Sequence, residues 1–397
     1  MEARPLGMFV GKTRGQAGAD LLTKSGIGDS GTSTTDRAGH TNARRRHHLP
    51  IERLPYERKN RMANTTVERA AGDEFQSSEL TDIYRLMLLI RRLEESVYRK
   101  FHEAKIGGYL HRYDGMEALV LGVIPQLRLP GDKVLCTYRD HAHALACGTS
   151  AKAIMAELMG RATGCALGKG GSMHLTDPDK GFLGGDGIVG GPVPISLGVG
   201  FALKYKGEGN ICVCYFGDGA MNQGGVHESF NMVGLYKLPV LYILENNHFA
   251  MGTSVSRSTG QPDFVLKAKA HGIDGEKVDG MDYFAVRDTV KRAIARIRET
   301  GEAYFLEMDC YRFVGHGIGD DNTKAWMTYR TEEEVNEWRQ RDPLLRMRDA
   351  LEAKGLITPD EAERLDKEVR EEVEEAVAFA EASPEPPLDS LYENVFS

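Results

Sequence analysis

Ile211 to Asn247 reads ICVCYFGDGAMNQGGVHESFNMVGLYKLPVLYILENN, and this stretch decides the fold. It opens on an unbroken apolar run, Ile211 to Phe216, which predicts a strand buried on both faces. Gly217-Asp218-Gly219 interrupts the run. A helical segment follows from about Gln223 to Leu238, and Pro239 stops it before a second apolar run, Val240 to Leu244. A single strand–helix–strand unit makes its strands parallel, with their carboxyl ends at one edge of a sheet. Asp218 and Asn247 stand just past those ends and can meet there.

Two oxygen-bearing side chains at a sheet edge, flanked by glycines that permit close backbone approach, suit a small hard cation holding a phosphate ester. Mg²⁺ takes one or two protein oxygens and completes its shell with water and phosphate oxygens. An Asx-capped turn would account for Gly-Asp-Gly alone. Gly-Asp-Gly after a buried strand, matched by Asn246-Asn247 after the next, is far more specific. In spacing and context it resembles the thiamine diphosphate signature.

Composition narrows the classes. At 397 residues, 41% hydrophobic and 27% charged, the chain suits a globular protein of one large domain or two ordinary ones. The formal charge is −8. Residues 1 to 61 hold twelve Lys and Arg against six Asp and Glu, so the rest is the acidic part, which argues against nucleic acid as a partner. The six cysteines form neither a metal spacing nor a disulfide framework and point to a reducing compartment. The uncharged stretch Gly187 to Leu203 holds two prolines and five glycines, and it is too short to span a membrane.

Along the chain, residues 1–77 lack periodicity and are expected to be a disordered N-terminal extension, with 78–397 as the folded domain. The Arg44-Arg45-Arg46-His47-His48 cluster could be a nucleic-acid or targeting patch, but a solvated charge run accounts for it. The acidic residues weaken a transit-peptide reading, and Met62 offers another start. Helical spacing covers Thr81 to Phe101. Lys133 to Thr137 is expected as a strand ending in Tyr138-Arg139, which puts a guanidinium at the sheet edge. His141 and His143 could ligate a metal but lack a third ligand. The glycine-dense Gly164 to His174 has the wrong spacing for a Walker loop. Gly185 to Gly190 fits G-x-G-x-x-G, but Pro178 before it and Pro192 and Pro194 after it argue against the strand and helix that a dinucleotide fingerprint needs. Glu276 to Asp279 and Tyr304 to Asp309 are expected strands around a helix from about Ala285 to Thr300. Val314 to Tyr329 is expected to be a polar loop. Thr331-x-x-Glu334 reads as a capping box, and Thr358-Pro359 as an N-cap with proline at the first helical position. The helix from there to about Ala382 is expected to be solvated or to pack on another subunit.

Taken together, these segments resemble the alpha subunit of the thiamine diphosphate-dependent first component of 2-oxoacid dehydrogenase complexes, from about Glu79 to Phe396. Gly168-Lys169-Gly170-Gly171-Ser172-Met173-His174 is similar to the pyruvate and acetoin branches. The resemblance implies an α/β thiamine diphosphate-binding fold: a mostly parallel sheet with helices on both faces and a C-terminal helical region. It implies Mg²⁺ on Asp218, Asn247 and the carbonyl of Phe249. Gly219 and Ala220 would contact the diphosphate through backbone amides, joined by Tyr138 and Arg139, and Gly187 and Val189 would line the aminopyrimidine. His111 would face the substrate, and His316 would lie on a loop covering the cofactor and act on the substrate or acyl intermediate.

The same resemblance implies oxidative decarboxylation of pyruvate, with the acetyl group passed to a lipoyl-bearing acyltransferase. Acetoin or another 2-oxoacid is the alternative substrate, and an inactive scaffold subunit the alternative role. The activating glutamate would come from a beta subunit, in an assembly of two alpha and two beta chains. A bacterial-type cytoplasmic location is expected, with an organellar matrix as the alternative. One departure stands out. The family reads Gly-His-Ser-x-Ser/Ala-Asp-Pro in the covering loop, whereas Gly317, Gly319 and Asp321 replace the small polar positions and the proline here. In mitochondrial members those serines are phosphorylated; these glycines carry no hydroxyl.

Overall fold

The computed structural model describes residues 77–393. The expectations placed on residues 1–76 lie outside the described residues. Within them, six strands form one sheet: β1 Lys133–Thr137, β2 Phe182–Asp186, β3 Cys212–Gly217, β4 Val240–Asn246, β5 Asp274–Asp279 and β6 Tyr304–Asp309. Every pairing is parallel, in the order β2-β1-β3-β4-β6-β5. The two central strands are the apolar runs of the opening stretch, joined by the helix Gly224–Tyr236.

Those strands are unbroken in apolar character because both of their faces are covered. Val213, Tyr215, Leu241 and Ile243 enter one core, with the helices Ser77–His102, Glu117–Val123 and Tyr283–Thr300. Cys212, Cys214, Phe216, Tyr242 and Leu244 alternate into the other, against the helices Pro192–Lys206 and Gly224–Tyr236. Gly217 pairs with Glu245, so β3 and β4 finish level and set Asp218 beside the end of β4.

Four local expectations are corrected. The helix Pro359–Ala382 is neither wholly solvated nor reserved for another subunit. Leu365, Val369, Val373, Val377 and Ala380 bury a stripe in the first core, beside the helices Ser77–His102 and Ala151–Leu158. Its start is a complete capping box, Thr358 with Glu361. At Thr331 only half of the box forms: Thr331 accepts the Glu334 amide, but the Glu334 carboxylate accepts Tyr311 Oη at 2.9 Å instead.

The G-x-G-x-x-G segment does have a strand before it, β2, and a helix after it. Pro192 opens that helix, where a missing N–H costs nothing. The glycines there answer to carboxylates: a Cβ on Gly185 would lie 2.2 Å from Asp140 Oδ2, and one on Gly191 2.4 Å from Asp186 Oδ2. Finally, Val314 to Tyr329 is not a plain loop. It contains the short helix Ile318–Thr323 and a 3-10 turn at Ala325–Thr328. Two adjacent carboxylates organise it, Asp321 accepting the Gly315 amide and Asp320 the His316 amide.

Candidate active site

A cleft of about 510 Å³ opens at the carboxyl ends of β1, β3 and β4. All eleven residues singled out from the sequence line it. Asp218, Gly219 and Ala220 come from the turn after β3, and Asn247 and Phe249 from the exit of β4. Tyr138 and Arg139 follow β1. Gly187 and Val189 form the wall after β2, and His111 and His316 close the remaining side.

Asp218 is buried, and its Oδ2 has no hydrogen-bond partner. Burial pushes its carboxyl up to about 6, against the opposing pull of Arg312. An orphaned carboxylate oxygen is costly unless something positive comes to it. Gly219 must be glycine, because a Cβ there would stand 2.5 Å from that of Ala250. The backbone can therefore approach a ligand closely at this point. These features fit a divalent cation and a phosphate ester.

The rings of His111, His316 and Tyr138 converge: His111 lies 4.2 Å from Tyr138 and 4.9 Å from His316, centroid to centroid. Burial, reinforced by the Arg139 charge, pushes both imidazoles far below the usual histidine range, His316 to about 2. Both rings are therefore neutral at physiological pH, and His111 Nδ1 is buried without a partner. Arg139 spends its fork on backbone carbonyls, donating to Arg112 O and, at 2.8 Å, to His316 O. In this structure it fastens the segment that carries His316.

The paired histidines of the His-x-His segment hold the scaffold. His141 bridges Glu94 at 3.0 Å and Ser172 at 2.8 Å, while His143 Nδ1 contacts Arg139 O at 3.2 Å. Among the described residues no group of three or more His, Cys, Asp or Glu could hold a metal. The glycine-dense segment is folded around one carboxylate. Glu157 accepts the amides of Ala166 and Gly168 on one oxygen and those of Gly170 and Gly171 on the other, at 2.7 to 3.1 Å. This arrangement delivers Met173 to the cleft and Ser172 to His141.

Three lining or neighbouring residues were missed from sequence. Glu245, buried at the end of β4, accepts Tyr113 Oη at 2.5 Å and lies 3.6 Å from His143 Nε2. Tyr109 stands beside His111, ring to ring at 4.9 Å. Arg312 is fully buried behind Asn247 and Phe249. Its signal was available: Tyr311-Arg312 follows β6 much as Tyr138-Arg139 follows β1.

A parallel sheet whose carboxyl edge gathers a buried carboxylate, glycine backbone and neutral imidazoles defines a cofactor-dependent α/β enzyme domain. The chain belongs to the dehydrogenase E1 component family, whose model matches residues 84–389. It is similar to the pyruvate dehydrogenase E1 component subunit alpha of Rhizobium meliloti, 46% identical over 324 residues, which cover 81% of this chain and 91% of that protein. The Rickettsia felis protein of the same name is 44% identical over 79% of this chain and 94% of its own length. The rat somatic, mitochondrial form is 40% identical over 79% of this chain and 78% of its own. Thiamine diphosphate use follows from the family. No helix among the described residues is long and apolar enough to cross a membrane.

Proposed function

We propose that this chain is the alpha subunit of a pyruvate dehydrogenase E1 component, acting in the thiamine diphosphate-dependent oxidative decarboxylation of pyruvate. The observation that carries the reading is the single cleft into which all of the family-type positions fall. The names of relatives at 40 to 46% identity support it.

Mg²⁺ would be held by Asp218, Asn247 and the Phe249 carbonyl. Gly219 and Ala220 would offer amides to the diphosphate, and Gly187 and Val189 would wall the aminopyrimidine. Bound thiamine diphosphate supplies the electron sink for the carboxyl group's departure. This chain's residues orient it and keep water out. His111 and His316, held neutral, would each offer a ring N–H or an acceptor nitrogen to the substrate side of the cleft. Arg139 keeps the His316 segment in place through its backbone.

A beta chain would complete the site, in an assembly of two of each subunit, and the product would pass to a lipoyl-bearing acyltransferase. Exposed apolar side chains support a partner here. Phe201, Tyr205, Leu235 and Tyr236 stand out on the helices that start beside the cleft wall, with Tyr205 87% and Leu235 71% exposed. Residues 78–397 would form the E1 domain, in a bacterial-type cytoplasm.

The test is co-expression with the neighbouring beta-type chain and assay of pyruvate, branched 2-oxoacids and acetoin with a dye acceptor. Pyruvate should turn over fastest, and the chain alone should release no carbon dioxide above background. Preference for acetoin, or robust turnover by the lone chain, would overturn the reading.

A further inference from the structure

The turn after β4, residues 247 to 251, is shaped unusually. His248 and Met251 both sit in the left-handed region, at φ 70° and 53°, without being glycine. Such residues persist only where the surroundings hold them. Arg312 does much of the holding. Its Nε donates to Asn247 Oδ1 at 3.1 Å, and its Nη2 donates to Phe249 O and Met251 O, both at 3.2 Å. Two of those three acceptors are the oxygens proposed above to bind Mg²⁺.

The contacts do not compete with a metal. A carbonyl or amide oxygen has two lone pairs, so each can accept from Arg312 and still face a cation. The remaining nitrogen, Nη1, is buried and has no hydrogen-bond partner. A guanidinium N–H left unmade in the interior is costly, and an anionic oxygen is what satisfies it most strongly. Arg139, the other guanidinium of the site, has both terminal nitrogens engaged on backbone carbonyls.

We propose that Arg312 is a further cofactor-site residue, one that fixes the metal-binding turn through three carbonyl oxygens and presents Nη1 to the diphosphate. This rests on the thiamine diphosphate reading of the cleft. Its side chain and backbone also join two parts of the site, because Arg312 O accepts Arg330 Nη1 at 2.7 Å at the far end of the covering segment. A lysine keeps the charge but cannot reach three acceptors and an anion from one nitrogen.

The experiment uses the assembled enzyme with its beta chain. Thiamine diphosphate binding is titrated by calorimetry across a Mg²⁺ series for wild type, Arg312→Lys and Arg312→Gln. Unfolding temperatures without ligand show whether each variant assembles and folds. Losing the fork should raise the half-saturating concentrations of both cofactor and Mg²⁺ about tenfold. A merely structural role would lower the unliganded unfolding temperature and leave the Mg²⁺ dependence alone. Unchanged midpoints in a folded variant would overturn the proposal. A second measurement needs no variant: in unliganded wild type, the amides of residues 248–252 should already exchange slowly. Free exchange until cofactor and metal are added would also overturn it. Wild type that binds no thiamine diphosphate at all would bring down the reading of the cleft, a result the variants alone cannot produce.

Discussion

Restoring a serine at Gly317 should open the covering segment. The Gly317 backbone is extended, so the residue itself would be tolerated; the space is the obstacle. A Cβ there would lie 2.4 Å from Tyr109 Cε1 and 2.8 Å from the Leu110 carbonyl oxygen, where ordinary contacts begin near 3.4 Å. Leu110 O cannot retreat cheaply, because it accepts the Ile318 amide at 3.0 Å. Tyr109 packs ring to ring against His111 but is 39% exposed, so it yields more readily than the carbonyl. Overpacking of this kind costs about 1–3 kcal/mol. Applied to the open–closed equilibrium of the segment alone, that is about 5- to 150-fold more of the open form.

Lys324, exposed and in a left-handed turn between the two short helical pieces, gives trypsin its handle. Gly317→Ser should be cut there faster by that factor in the unliganded enzyme. Tyr109→Ala in the same chain should remove part of the difference and leave the share due to the Leu110 carbonyl. Equal cleavage of wild type and Gly317→Ser would refute the packing argument, and an undiminished effect in the double variant would show that Tyr109 is not the obstacle.

Two further predictions follow from buried charge. Asp218→Asn should abolish cofactor retention yet raise the stability of the unliganded enzyme. Burial lifts the folded-state carboxyl above its value of 3.8, to about 6, so the unliganded fold loses stability as pH rises through that window. Relief at neutral pH is about 2–3 kcal/mol at most, read as a higher unfolding temperature; an unchanged or lower temperature would contradict it. His111 and His316 act in the opposite direction. Their folded values are depressed, so the unfolded chain takes protons first, and stability is lost as pH falls through about 6.5. Each contributes roughly 1.4 kcal/mol per pH unit below that point. Melting curves at about pH 7.5 and 5.5 should therefore diverge less in a His111→Gln, His316→Gln variant than in wild type.

The central sheet was legible because β3 and β4 are built on the apolar runs Ile211 to Phe216 and Val240 to Leu244, and β1 and β6 were predicted at their observed limits. Strand β2 was not. With two glycines in five residues, FLGGD carries almost no strand signal, and it forms because β1 supplies the parallel partner. The prolines at 192 and 194 misled for a similar reason: proline breaks a helix from inside but can begin one. At the site, residues announced by glycine-flanked motifs could be named in advance. Glu245 could not, since a charged residue at a strand end looks the same whether it faces water or a buried site, and Arg312 had only the parallel with Tyr138-Arg139 to mark it. Only the packing of Tyr113 on one and of the 247–251 turn on the other distinguishes them.

The carboxylate of Glu157 gathers four amides of the glycine-dense segment, and it does so from a helix that lies against Pro359–Ala382. The wall bearing Met173 is thus braced from behind, one helix away from the outermost surface of the C-terminal region. The support of this cleft wall therefore extends to residues that do not line it.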